Sequence, residues 1–173
     1  MKGGSAMQDS TSPTSKADKR TTKHPPSRPR RPTWWQTIWD TAGSYISVAL
    51  GSVVGGVARF LVSVLFVSEF GNGFPWSTLF VNVTGSFIIG FYAALTGPDG
   101  RLLASPRQRQ FVMVGICGGY TTFSAFSLET LRLVQSGNLQ AALLNIGISV
   151  AGWLTAVWIG HALATRINRL RGT

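Results

Sequence analysis

The chain has 173 residues, 45% of them hydrophobic and only 13% charged, with a formal net charge of +10. Soluble domains carry roughly 25% charged residues, so this composition argues against an ordinary soluble globule and makes a bilayer the simplest solvent. A single cysteine, Cys117, excludes a disulfide framework or a cysteine metal site built within one chain.

Much of the positive charge lies at the start. Residues 1–33 hold eight Lys and Arg against two Asp, a net +6. Pro25, Pro26, Pro29 and Pro32 stand among Arg28, Arg30 and Arg31, a composition that buries too little apolar surface to order itself. The segment reads as a disordered basic tail whose partner is the anionic cytoplasmic membrane surface, not nucleic acid. It does not read as a signal peptide, because the first apolar run begins only near Tyr45 and no small-residue cleavage site follows at the usual distance.

Residues 34–173 read as a four-helix transmembrane domain. Trp34, Trp35 and Trp39 precede the first apolar run, where aromatic rings favour the headgroup level. Helix one is expected over about 43–67, ended by the turn-rich stretch from Ser68 to Pro75. Helix two, about 76–95, carries no charge and ends at Gly97-Pro98-Asp99-Gly100; its length at about 1.5 Å per residue matches the hydrocarbon core of about 30 Å. Helix three is expected over about 110–134 and helix four over about 139–164. The link Gln135-Ser136-Gly137-Asn138 between them is short enough to make them antiparallel neighbours. Small residues recur four apart (Gly51 and Gly55, Ser86 and Gly90, Gly115 and Gly119, Gly147 and Ala151), a spacing that lets helix backbones approach closely in lipid. Four helices make a small bundle for a conduction path, so the chain is expected to oligomerise.

Several polar groups interrupt these runs. Thr78, Asn82 and Ser86 follow at i, i+4 and i+8 on one face of helix two, and Asn145 and Ser149 repeat the spacing in helix four. Singly, each reads as structural glue; together they allow a shared track of neutral donors, suited to a small desolvated ion. Gly118-Gly119-Tyr120-Thr121-Thr122 falls at the middle of helix three. Paired glycines weaken a helix by about 1 kcal/mol each, and the β-branched residues after them do not restore it. A break at membrane depth is expected there; freed carbonyls suit a cation and a half-helix N-terminus suits an anion. Phe123 and Phe126, three apart, share one side of the second half-helix, where core packing competes with weak attraction of an anion to their ring edges. His24 and His161 have no partners at ligand spacing.

Three separated motifs make the chain similar to the Fluc/CrcB fluoride channels, from about Gly51 to the end of helix four. They are Gly55-Gly56-Val57-Ala58-Arg59-Phe60, Thr78-Leu79-Phe80-Val81-Asn82-Val83-Thr84-Gly85-Ser86-Phe87, and Gly118-Gly119-Tyr120-Thr121-Thr122-Phe123-Ser124-Ala125-Phe126. The resemblance implies an all-α membrane protein with a broken third helix, assembled as an antiparallel dual-topology dimer with two fluoride pathways. It further implies a structural sodium ion at the dimer interface, held by the backbone carbonyls of Gly118 and Thr121. By position, Asn82 matches the pore amide, Phe123 and Phe126 the phenylalanines of the pathway, and Thr78, Ser124 and Ser149 the hydroxyls of a polar track. Arg59 matches the family arginine of helix one, against the competing reading of a snorkelling residue. Ala125 stands where a threonine is usual, and Asn145 where a tyrosine often occurs.

The implied function is passive export of fluoride from the cytoplasm across the cell membrane. The competing readings are a small four-helix drug/proton antiporter, which needs a membrane-embedded carboxylate, and a non-transporting membrane subunit. An enzyme is not expected, since no cluster of nucleophile, base and orienting group exists. Four spans put the tail, the loop with Arg101, Arg107 and Arg109, and the C-terminal Arg166, Arg169 and Arg171 on one side, against Glu69 and Arg132 on the other. Both termini are therefore expected in the cytoplasm. So strong a bias opposes equal insertion in two orientations, so an antiparallel pair is expected to draw on a homologous chain of opposite bias.

Overall fold

A computed structural model describes residues 33–71, 73–98 and 100–170; the basic tail lies outside these residues except for Thr33. The described residues form helices and their links, with four segments long and apolar enough to span a bilayer. The first, α1 (Trp34–Phe70), begins nine residues before the expected start. The Thr33 N–H donates to Gln36 Oε1 at 2.9 Å, and the rings of Trp34 and Trp35 stack with centroids 3.5 Å apart. At about 1.5 Å per residue α1 is about 55 Å long, well beyond the hydrocarbon core, so its tryptophan end reaches into the headgroup layer.

The second span, α2 (Trp76–Leu95), has the expected limits. The third is composite: α3 (Pro106–Arg109), a π-helical segment (Gln110–Cys117), α4 (Gly118–Tyr120), two extended residues, Thr121 and Thr122, and α5 (Phe123–Gln135). It starts four residues earlier than expected because Ser105 and Gln108 form a reciprocal cap: Gln108 N–H donates to Ser105 Oγ at 3.2 Å and Ser105 N–H to Gln108 Oε1 at 2.9 Å. The fourth, α6 (Leu139–Arg169), begins under an Asn138 cap and runs five residues past Ala164.

Glycines set the packing. A Cβ on Gly51 would stand 2.6 Å from the Phe111 carbonyl oxygen and 2.8 Å from Gly115 Cα, one on Gly55 would meet the Ile116 carbonyl, and one on Gly119 would stand 2.8 Å from Ser52 Cα. Residue numbers rise together along this seam, so α1 and the first half of the third span run parallel, backbone against backbone. The exposed Asp40–Arg107 ion pair, 3.8 Å, joins them at one end. Likewise α2 and α6 run parallel: Gly152 packs on Val83, Gly160 on the Phe87 carbonyl and Gly90 on the Val157 carbonyl.

The distribution of polarity is that of a protein solvated by lipid. Among the described residues, Thr78, Asn82, Thr96, Thr122, Asn145 and Ser149 are buried, as many polar side chains as the apolar set Val81, Cys117, Phe126, Ala142, Ala156 and Ala164. Meanwhile Leu50, Val53, Val57, Phe60, Leu61 and Val64 stand exposed on α1. Water rewards the reverse arrangement.

Candidate functional site

The site is built around the interruption of the third span. Thr121 and Thr122 are extended, with φ/ψ of −81°/157° and −152°/120°. The buried side chain of Asn82 on α2 spans the gap: Thr122 N–H donates to Asn82 Oδ1 at 2.7 Å, and Asn82 Nδ2 donates to the Thr122 carbonyl at 2.9 Å. A carboxamide carries the same donor and acceptor as a peptide group, so α2 lends the broken helix a surrogate peptide where lipid offers no partners. Thr122 then caps α5, its Oγ1 accepting from Ala125 N–H at 3.2 Å and lying 3.2 Å from Ser124 Oγ.

These bonds determine which carbonyls are released. In an unbroken helix the Thr122 amide would bond the Gly118 carbonyl and the Ala125 amide that of Thr121. Both amides are engaged with side chains instead. The carbonyls of Gly118 and Thr121 thus lose their helical donors. Gly118 is exposed on the single chain, and a Cβ built on it meets nothing within 4 Å. Neutral carbonyl oxygens released from a helix are suitable donors for a hard monovalent cation, so the residues present fit the sodium that the family resemblance implies.

A cavity of about 210 Å³ adjoins the break, lined by Asn82, Ser86, Thr121, Thr122, Phe123 and Trp153 together with Ile89. Among the described residues, no ionisable side chain lines it. Asn82 Nδ2 carries a second hydrogen beyond the one given to Thr122. Phe123, 70% exposed on the single chain, lies 5.6 Å centroid to centroid from the buried Phe126, which meets Trp153 edge to face at 4.9 Å. Phe126, Thr130, Asn145 and Ser149 form a chain of hydrogen bonds. Ser149 Oγ donates to Asn145 Oδ1 at 3.3 Å, Asn145 Nδ2 to Thr130 Oγ1 at 2.8 Å, and Thr130 Oγ1 to the Phe126 carbonyl at 2.7 Å. Asn145 is thereby a full member of the polar network joining α5 to α6.

One turn before Asn82, buried Thr78 donates to Glu129 Oε1 at 2.9 Å. Glu129 Oε2 is buried, and no described residue bonds it. Glu129 and Arg132 help line a larger cavity of about 580 Å³ beneath the link between α1 and α2. Asn82 and Ser86 on α2 line the smaller cavity, and Thr78, one turn earlier, holds a carboxylate that lines the larger one.

The structure brings Thr78, Asn82, Phe123, Ser124, Phe126 and Ser149 together on α2, α5 and α6, and places Gly118 and Thr121 at the break. Arg59 is not gathered with them: it is half-buried on α1, makes no hydrogen bond or ion pair with a described residue, and lines neither cavity. Sequence reasoning did not place Thr122, Thr130 or Trp153 in the site, and set Glu129 aside as lying near the end of helix three. Trp153 had a signal, standing four residues after Ser149 and eight after Asn145 on the same helical face.

Residues 46–161 match the family described as CrcB-like protein, Camphor Resistance (CrcB). Over 134 residues, 78% of this chain and 95% of the relative, the sequence is 66% identical to fluoride-specific ion channel FluC 1 of Rhodopseudomonas palustris. It is 59% identical over 133 residues to fluoride-specific ion channel FluC 1 of Bradyrhizobium diazoefficiens, covering 77% and 92% of the two chains. Identity to fluoride-specific ion channel FluC of Methylocella silvestris is 48% over 128 residues, covering 74% and 98%.

Proposed function

The chain belongs to the CrcB-like family, and from that membership we propose that it is a multi-pass channel of the cell membrane that conducts fluoride passively out of the cytoplasm. The observation that carries the reading is the Asn82 carboxamide locked onto Thr122 at the edge of a small cavity that no ionisable side chain lines among the described residues. Fluoride is small and strongly hydrated, so a protein must replace its water with close, preorganised donors. Two hydrogen bonds fix the Asn82 amide in place while one N–H remains for the cavity. The Ser86 hydroxyl extends the row of donors on α2, and Thr78, whose proton is given to Glu129, continues the polar stripe. With no energy-coupling motif in the sequence, the ion follows its gradient.

The active assembly is an antiparallel dimer, because the open faces at Gly118 and Phe123 need covering and a single chain encloses only one side of the path. The carbonyls of Gly118 and Thr121 would hold a structural sodium ion, which would supply positive charge to these freed dipoles at the dimer interface without being transported. The chain's residues do the rest: Asn82 holds the break open, Thr122 caps α5, and Phe123 and Phe126 wall the path. Both termini face the cytoplasm, by the distribution of Lys and Arg, and the second copy is a homologous chain of opposite charge bias.

Efflux from proteoliposomes loaded with potassium fluoride tests the reading. Release of fluoride with valinomycin and no proton gradient, with chloride retained, is the expected result. Absence of fluoride release both from the chain alone and from the chain with an oppositely biased homologue would overturn it, and proton-coupled efflux of a cationic drug would favour the antiporter. Where the chain alone is silent, the same assay is run with an oppositely biased homologue co-reconstituted.

A further inference from the structure

The two threonines of the break are held by α2, and so is the residue before them. Tyr120, the last residue of α4, has its hydroxyl 3.1 Å from Thr84 Oγ1. Thr84 Oγ1 also lies 2.7 Å from the Phe80 carbonyl and 3.4 Å from that of Val81. A threonine hydroxyl has one proton and a carbonyl can only accept it, so that proton stays on α2 and the Tyr120 hydroxyl is the donor to Thr84. A Cβ on Gly85 would run into Thr121 Cγ2 and stand 3.3 Å from Tyr120 Cδ1, so the bare backbone there lets α2 close on the turn. Asn82 takes both backbone groups of Thr122. Thr84, Gly85 and Asn82 thus hold residues 120, 121 and 122 in turn. Neither Thr84 nor Tyr120 lines the cavity of about 210 Å³ or that of about 580 Å³, so their bond has no direct part in the route of the anion.

We propose that the Tyr120 hydroxyl, bonded to Thr84, is a positioning group for the cation site, fixing the turn of main chain that carries the released carbonyls of Gly118 and Thr121; this rests on the structural-sodium reading. Gly118 and Gly119 precede Tyr120, and glycine has the widest choice of backbone conformation. A Cβ built on Gly118 meets nothing within 4 Å, so no neighbouring chain confines that residue. Tyr120 supplies the first side chain after the pair, and with it a hydrogen bond to a different helix. Carbonyl ligands hold a cation more tightly when their spacing is set beforehand, because a loose turn gives up conformational freedom on binding. Loss of the Tyr120 hydroxyl therefore weakens the hold on sodium, while Asn82 still keeps the break open at Thr122.

Tyr120→Phe keeps the ring beside Gly85 and leaves Thr84 bonded to Phe80, so it removes one hydrogen bond alone. The melting temperature of the assembled full-length protein is measured across a sodium chloride titration without fluoride, with N-methyl-D-glucamine chloride holding the ionic strength constant. Sodium that binds the folded assembly raises its melting temperature. Y120F is expected to need about fivefold more sodium than wild type for the same rise, which is what one net hydrogen bond is worth. Thr84→Val, which removes the acceptor, should shift the requirement in the same direction, and the double variant should need no more sodium than the weaker single variant. A bond that serves general stability alone lowers the melting temperature equally at every sodium concentration and leaves the sodium requirement unchanged. That result for Y120F overturns the proposal, as do shifts of Y120F and T84V that multiply in the double variant. If Y120F does not assemble, T84V against wild type decides. A wild type that melts alike with and without sodium removes the structural sodium and this inference with it, whereas a sodium-stabilised wild type with an unshifted Y120F removes this inference alone.

Discussion

Asn82→Leu is the perturbation that most directly probes how the break is held. Leucine has similar bulk but removes both hydrogen bonds to Thr122, at 2.7 and 2.9 Å. Thr122 is buried, so its N–H and carbonyl are left unpaired in a medium with no water to replace Asn82. Each orphaned group costs about 1–3 kcal/mol, so the broken conformation loses roughly 2–6 kcal/mol relative to alternatives that pair them. The nearest alternative turns the Thr122 amide back to the Gly118 carbonyl and continues the helix. Even the lower limit of about 2 kcal/mol shifts that equilibrium about 30-fold, at roughly 1.4 kcal/mol per tenfold. At this lower limit fluoride efflux should fall by up to that factor, as the broken conformation is depopulated, and thermal stability in detergent should fall with it. Asn82→Asp is the graded control: it keeps the acceptor for the Thr122 amide and loses the donor for the Thr122 carbonyl. Its flux should also be abolished, with a smaller loss of stability. An Asn82→Leu protein that conducts and melts like wild type would show that the bonds to Thr122 do not hold the path.

Replacing sodium on both sides by N-methyl-D-glucamine should reduce fluoride flux, measured with a fluoride electrode, because the carbonyls of Gly118 and Thr121 would lose their cation; equal flux in both media would remove sodium from the assembly. Phe126→Ile deletes a ring packed 5.6 Å from Phe123 and 4.9 Å from Trp153 and should lower flux at least tenfold while the protein still assembles, so normal conduction would take Phe126 out of the path. Cysteines placed at the two termini should both label from the cytoplasmic side, with the native Cys117 buried and silent. Similar amounts of both orientations from this chain expressed alone, with robust flux, would dispose of the need for an oppositely biased partner.

The sequence carried the architecture through its strongest physical signals. Helix two was bounded correctly because it is free of charge and lies between Pro75 and Gly97-Pro98, both strong breakers. The break was legible from Gly118-Gly119 and the threonines after them, which withdraw helical propensity where a span most needs it. The interfacial part of α1 was not counted as helix, since Trp34 to Ala42 lack the unbroken apolarity of a span; the turn is closed by Thr33 and Gln36. Nothing local marks Gln110–Cys117 as π-helical, a form that is uncommon at this length and that lies here against the glycine face of α1. The role of Asn82 was only half legible. Its place on a polar stripe could be read from spacing, but a bond to backbone 40 residues away belongs to tertiary structure. The same holds for Thr78 and Glu129, paired across 51 residues.

The glycine seam between α1 and the first half of the third span has a mechanical consequence. Contacts such as Gly51 on the Phe111 carbonyl and Gly119 on Ser52 Cα are made by main chain, which has no rotamers to exchange and cannot yield without moving a whole helix. α1 and the first half of the third span therefore behave as one stiff body. Compliance is left to the other side of Thr121 and Thr122, where α5 is held mainly by side-chain hydrogen bonds through Thr78, Thr130 and Asn145. Those bonds can lengthen, swap or be lent to a passing ion. The two extended residues are thus a joint between a fixed wall and a yielding one, and thermal motion of the path should appear first as tilting of α5 against a stationary α1.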